Sequence, residues 1–380
     1  MNSRNRYQIY FDYNASTPVD PRVETVMQQT FGSAYGNPSS PHWAGVPARN
    51  IVESARQQVA GLLGCAPGEI VFTSGGSESN NHVLKGMFYA SQAQNAHIIT
   101  TGIEHPAIVE PCRFLERLGA RVTWLPVDAT GRINANDLRQ AISADTILVS
   151  VMHANNEVGT IQPIEDCARI AREHGIPFHT DAAQSVGKIA TRVDELGVDF
   201  LSIAGHKIYA PKGIGALYIR EGNVLEPLIH GAGHELGRRA GTESTLLAAA
   251  LGAACELASD LSGMAKIAAL RDRLWAGLKQ SCGDQVVLNG HPEERLPNTL
   301  NVTFVGHMAN ELLAQLPELA VSTGSACHSD RVELSPVLQA MGISQEIGAG
   351  AIRFSLGRAT TSEEIEAVIE RLVPLLAGGS

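Results

Sequence analysis

No two of the six cysteines stand close enough to make a Cys-x-x-Cys pair, which removes the common sequence signature of a redox or zinc centre. The 13 histidines offer no Cys/His ligand spacing either, so no metal is expected. Long apolar runs are missing. The longest, residues 246–257, is too short to span a bilayer and is interrupted by Gly252, so it reads as a buried helix. The first ten residues carry charges but no apolar segment of the kind that opens a secretory signal. A cytoplasmic protein without membrane contact is expected, with its cysteines reduced. Basic clusters are also lacking. The 29 Lys and Arg are outnumbered by 39 Asp and Glu, a formal charge of −10, and a phosphate backbone needs clustered cations, so no direct nucleic-acid binding is expected. Internal repeats and low-complexity linkers are absent.

What remains is an ordinary globular composition, 44% hydrophobic and 18% charged over 380 residues. That length exceeds what one hydrophobic core usually organises, so two domains are expected. Short runs rich in Val, Ile and Phe read as strands at 69–73, 97–101, 121–126, 146–152, 177–180, 199–203 and 215–219. Helical patterns lie between several of them, as at 107–118 and 163–174, the latter stopping at Gly175. The alternation predicts an α/β protein built on a mostly parallel, doubly covered sheet of seven strands. Helices are expected at 49–63, ending at Gly64, and at 246–259. Beyond residue 260 the character changes: a long helix at 263–279, short strands at 298–304, 319–322 and 351–355, and a capping box from Thr361 to Glu364 opening a last helix. We assign residues 16–260 to a large domain, and 1–15 with 261–380 to a smaller α+β domain.

Ligands of such sheets bind beyond the carboxyl ends of the strands. The first strand runs into Ser74-Gly75-Gly76-Ser77 at a helix start, where backbone N–H groups can meet a phosphate, although such turns are often glycine-rich for backbone reasons alone. The second ends in Glu104-His105, the fourth in Asn155-Asn156-Glu157. The fifth ends in Asp181, a carboxylate that is costly to bury without a cationic partner. The sixth ends in Gly205-His206-Lys207, where desolvation favours a nucleophilic amine. A phosphate cradle, a histidine, an acid and an amine at one sheet edge meet the needs of pyridoxal 5′-phosphate. Five cysteines read as small, mostly buried hydrophobes. Cys327 differs: the small and polar residues around it suit a mobile loop and a reactive thiol.

The runs Phe11-Asp12-Tyr13-Asn14-Ala15-Ser16-Thr17-Pro18, Gly36-Asn37-Pro38-Ser39-Ser40, Ser77-Glu78-Ser79-Asn80, Glu104-His105, Asn155-Asn156-Glu157-Val158-Gly159, Asp181-Ala182-Ala183-Gln184, Gly205-His206-Lys207, Arg239-Ala240-Gly241-Thr242-Glu243, Gly324-Ser325-Ala326-Cys327 and Ile352-Arg353-Phe354-Ser355 resemble, in order, the cysteine desulfurases of the nitrogen-fixation and iron–sulfur-assembly type. The resemblance spans nearly the whole chain. It implies the type I pyridoxal-phosphate fold, aspartate aminotransferase-like, in a homodimer with the site at the subunit interface. Lys207 would hold the cofactor as a Schiff base and move the Cα proton of L-cysteine. Asp181 would pair with the ring nitrogen, Gln184 with the ring oxygen, and His105 would stack on the ring and relay protons. The Gly76 backbone, Ser77 and His206 would hold the phosphate, and Thr242 would reach the phosphate of the neighbouring subunit. Asn156 and Arg353 would take the substrate carboxylate.

Cys327 would attack the substrate sulfur, releasing L-alanine and leaving a persulfide for a sulfur-acceptor protein. The family often has Ser where Ala204 stands, so one phosphate contact is missing or replaced. The segments His230-Gly231-Ala232-Gly233-His234-Glu235 and Ala326-Cys327-His328-Ser329 also resemble bacterial members that supply sulfur for DNA phosphorothioation. Selenocysteine lyases and aminotransferases share the fold, and a catalytically silent scaffold is the reading of another class; intact Lys207, Asp181, His105 and Cys327 argue against the last.

Overall fold

The computed structural model describes residues 8–93, 95–328 and 331–377. Seven strands form the central sheet, in the order Ile70–Thr73, Gly215–Ile219, Phe200–Ala204, Phe178–Asp181, Thr146–Ser150, His97–Thr101, Arg121–Leu125. Only Gly215–Ile219 runs against its two neighbours; the other pairings are parallel. Five of the strands are buried at every residue and a sixth at all but one; the edge strand Arg121–Leu125 buries only its last. Hence they read as near-continuous apolar runs rather than alternating ones. One face is packed by a cluster including Val52, Val59, Leu63, Ile203 and Leu251, the other by Val83, Leu84, Ile98, Ile108 and Leu115.

The helix Gly45–Leu63 starts one turn earlier than its apolar pattern indicates and crosses Thr245–Ala258 closely. A Cβ on Gly252 would stand 2.7 Å from Ala55 Cα, so only glycine permits this approach.

A second, antiparallel sheet has the order Ser322–Thr323, Ala351–Ser355, Thr299–Phe304, Val286–Asn289. Its core joins Leu274 and Leu278 of the helix Met264–Cys282, Leu372 of the last helix, Val302, Phe304, Ile352 and Phe354. Ile9 and Phe11 from the beginning of the chain belong to the same cluster. The capping box closes as expected: Thr361 N–H donates to Glu364, and Glu364 N–H to Thr361 Oγ1.

Two expectations need correction. The strand placed at 319–322 is two short strands, Leu319–Ala320 and Ser322–Thr323, in different sheets. The run around Cys327 is not an open loop along its backbone: Ser325–His328 pairs antiparallel with Arg331–Leu334, Cys327 opposite Val332. The ladder satisfies backbone groups that a loop would leave to water, and Leu334 anchors its end in a small cluster with Val337 and Leu338.

Candidate active site

A cavity of about 330 Å³ opens beyond the carboxyl ends of the central strands. Gly76, Ser77, His105, Asn156, Asp181, Gln184, His206, Lys207 and Arg353 all line it. All but one come from strand-to-helix connections of the large sheet. Arg353 arrives from the middle of Ala351–Ser355 in the second sheet, so the cavity lies where the two sheets meet.

Lys207 sits on a single 3-10 turn after Phe200–Ala204. Its ammonium donates to the carbonyls of Asn14 and Ala15. Burial, with Arg353 nearby, pushes its pKa down to about 8 although Asp181 and Asp12 pull the other way. A lysine so placed has free amine available near neutral pH, as an imine-forming lysine needs.

Asp181 ends its strand inside the protein and is paired: Asn80 Nδ2 donates to Oδ2 at 2.6 Å and Ala183 N–H to Oδ1 at 2.9 Å. Asn80 stands on the first turns of the helix Gly76–Ser91 and lines the same cavity. This helix start presents the N–H groups of a first turn, which have no partner inside the helix, beside the cavity. Glu78 fixes the start: it accepts from Ser74 N–H and from Arg239 at 2.8 Å. Through Arg239 it also holds the segment that carries Thr242.

His105 caps the helix Pro106–Glu116. Its Nδ1 accepts from Ala107 N–H at 3.1 Å, which leaves Nε2 for the cavity and places the proton there. Burial lowers its pKa, as Lys207 also does, against the pull of Asp181, so the ring is neutral at pH 7. His206 is pushed down to about 4, by burial first. Beside His105, Glu104 accepts from Thr101 Oγ1 and Met152 N–H and ties two strand ends together. Burial raises it to about 8, so it is held as the neutral acid at pH 7.

Arg353 donates to the Asn156 carbonyl at 2.9 Å, and to Asp12 and Ser322, both at 2.7 Å. The guanidinium and the Asn156 backbone are thus joined already. Asn14 is the hub behind them. It donates to the Asn156 carbonyl and Thr299, accepts from Asn298 and Lys188, and offers its own carbonyl to Gln184 and Lys207.

One expected residue falls elsewhere. Thr242 is exposed and does not line the cavity. The side chain of Cys327 lies outside the described part of the structure. Sequence reasoning gave no role to Asn14, Asn80, Glu104 or Lys188. Asn14, Asn80 and Glu104 lay inside quoted motifs, and Lys188 follows Gln184 by four positions, but only contacts assign them a role. Of the other cysteines, Cys112, Cys167 and Cys255 are buried, Cys65 and Cys282 partly so. Burial pushes the thiols of Cys65, Cys112, Cys167 and Cys255 up to about 12, which leaves them inert.

Residues 9–368 match the model of the aminotransferase class-V family. The chain belongs to that family. It is 45% identical over 376 residues, 97% of this chain and 95% of the other, to the cysteine desulfurase IscS of Dictyoglomus turgidum. Among solved structures, a NifS-like protein superposes with a TM-score of 0.91 at 39% identity, covering 97% of this chain and 99% of the other. SspA in complex with cysteine gives 0.81 at 40% identity, covering 93% and 99%. The fold and the dependence on pyridoxal 5′-phosphate expected from the sequence stand on these matches.

The residues present fit that cofactor. Asp181 offers a buried, oriented carboxylate for a ring nitrogen, Lys207 an amine of lowered basicity, and the Gly76–Ser91 helix an anion-binding start.

Proposed function

We propose that the enzyme is a cysteine desulfurase in which Lys207 and Cys327 divide the work. The observation that carries this is one cavity holding an amine of lowered basicity, an oriented acid and a guanidinium from the other sheet. Bound pyridoxal phosphate supplies the electron sink that makes the Cα–H bond of cysteine labile. Arg353 and Asn156 bind the substrate carboxylate; Arg353 is already pinned by Asp12 and Ser322, so little ordering is left to the substrate. Lys207 takes the Cα proton through Nζ. His105, neutral, offers Nε2–H to the cavity. The Gly76 backbone, Ser77 and His206 would hold the cofactor's phosphate, and Gln184 would donate to its ring oxygen.

Cys327 as thiolate attacks the substrate Sγ. The new S–S bond forms as the Cβ–Sγ bond breaks; its electron pair goes to Cβ, which takes a proton, and Lys207 returns the proton to Cα, so that L-alanine leaves. No outside oxidant is needed. The selenocysteine-lyase alternative is not favoured by the relatives, which are named for cysteine. The two-unit division, 16–260 against 1–15 with 261–380, is part of this reading: the Cys327 hairpin belongs to the smaller unit.

A second copy of the chain completes the enzyme in our reading. Phe31, Tyr35, Trp43 and Leu236 are each at least 70% exposed, large apolar side chains that a partner surface would cover, and exposed Thr242 reaches the partner's phosphate site. The persulfide passes to an acceptor protein in the cytoplasm, of iron–sulfur assembly or of DNA phosphorothioation. The negative charge suits hand-over to a protein rather than to DNA itself. Among the described residues no helix is long and apolar enough to cross a membrane.

Cys327→Ala tests the assignment. Release of sulfur from cysteine should fall to background while the cofactor's visible absorbance persists; a variant with full desulfurase activity overturns it. Trapping the acceptor as a mixed disulfide with Cys327 in host extract separates the two pathways.

A further inference from the structure

Lys188 is a half-buried basic residue with no part in the chemistry above. It lies in the turn after the strand Phe178–Asp181, four residues beyond Gln184. Its Nζ donates to Gln184 Oε1 at 2.9 Å and to Asn14 Oδ1 at 3.2 Å. On the other side of the same amide, Gln184 Nε2 donates to the Asn14 carbonyl at 3.0 Å.

The two ends of a glutamine amide are nearly equal in size and opposite in hydrogen-bonding sense. Which end faces the cavity therefore has to be imposed by neighbours. A lysine ammonium can only donate, and a carbonyl can only accept. Lys188 and the Asn14 carbonyl thus dictate the same orientation. The Asn14 side chain is itself fixed, because its Nδ2 donates to the Asn156 carbonyl and Thr299 while its Oδ1 accepts from Asn298. One of the two Nε2 hydrogens of Gln184 is used on Asn14; the other is left for the cavity that Gln184 lines.

We propose that Lys188 is a positioning residue: together with Asn14 it holds the Gln184 amide with its N–H end toward the ring oxygen of the cofactor. The proposal rests on the reading that Gln184 donates to that oxygen. Burial, with Lys207 and Arg353 adding to it, pushes the Lys188 pKa down to about 7. The neutral amine still has two N–H groups for its two oxygen partners, so the arrangement survives loss of the proton.

The test is a pH titration of the visible absorbance of the holoenzyme without substrate. A hydrogen bond to the ring oxygen lowers the basicity of the Schiff-base nitrogen. Gln184→Ala should therefore raise the midpoint, by about one pH unit for a hydrogen bond to a charged group. Lys188→Met, of similar length but without donors, should raise it in the same direction. In the Gln184→Ala background Lys188→Met should add nothing, because there is no amide left to orient. If Lys188→Met shifts the midpoint equally with and without Gln184, it acts by its charge alone and the proposal falls. If only Gln184→Ala has an effect, the proposal falls and the role of Gln184 stands; if neither has, both fall. Should Lys188→Met lose the cofactor, Lys188→Leu, which also lacks donors, is compared in the same way.

Discussion

The depressed basicity of Lys207 can be measured before any turnover. An ordinary lysine has a pKa of 10.5; burial and then Arg353 push this one down to about 8. At pH 7 about one molecule in ten then carries the free amine, against about one in three thousand for an unperturbed lysine, a gain of about 300-fold. Only the free amine forms an imine. Cofactor-free enzyme mixed with pyridoxal phosphate should therefore capture it at a rate that climbs tenfold per pH unit below pH 8 and levels off above it. The sign follows from the charge: the site disfavours the ammonium, so the proton leaves at lower pH than in water. Arg353→Met removes a cation that assists this and should move the midpoint upward. Lys207→Ala is the control for Lys188, the other amine of lowered basicity nearby, and should form no stable linkage. A capture rate still rising tenfold per unit above about pH 9 would refute the reasoning, because it would mean that the amine is solvated like any surface lysine.

Asn80→Ala takes away the 2.6 Å donor that aims Asp181; a charge-assisted bond of this kind is worth about 1.5–3 kcal/mol, so cofactor affinity measured by equilibrium dialysis should fall at least tenfold. Ala204 lines the cavity where the family often has serine; Ala204→Ser should slow cofactor dissociation by roughly tenfold through one added bond to an anion, and an unchanged rate would mean that the hydroxyl does not reach the phosphate. Glu235 holds the buried Arg56 by two contacts of 2.7 and 2.9 Å and also accepts from Phe72 N–H. Glu235→Ala leaves the buried Arg56 only Glu53 and the Ile70 carbonyl, strips the Phe72 N–H of its partner, and should cost about 3 kcal/mol in urea unfolding of the holoenzyme, whereas an equal loss in Glu235→Gln would point to shape rather than charge.

The alternation of apolar runs with amphipathic stretches was enough to read the large sheet. Strands at 97–101 and 215–219 fall where the sequence places them, and the others shift by one or two residues, because most of the strands are buried on both faces and carry short runs rich in Val, Ile, Leu and Phe that stand out locally. The hairpin around Cys327 was not legible: serine, glycine and histidine favour no strand, and pairing with Arg331–Leu334 is decided by what lies across from them. Thr242 was named by resemblance, and one copy of the chain leaves it outside the cavity.

The sequence by itself determined the chemical parts: a lysine, an aspartate and a glycine-rich helix start, each at the carboxyl end of a strand, because strand ends are marked locally by where apolar runs stop. Only the tertiary structure decided how those parts are aimed. Asn80 reaches Asp181 across 101 positions, Asn14 reaches Asn298 across 284, and Arg353 meets Asp12 across 341. Contacts at such separations leave no local pattern of apolar and polar residues, since each depends on the register in which distant strands pack. The amine at Lys207 is a lysine by sequence. Its lowered basicity is a property of the cavity walls, built from both sheets.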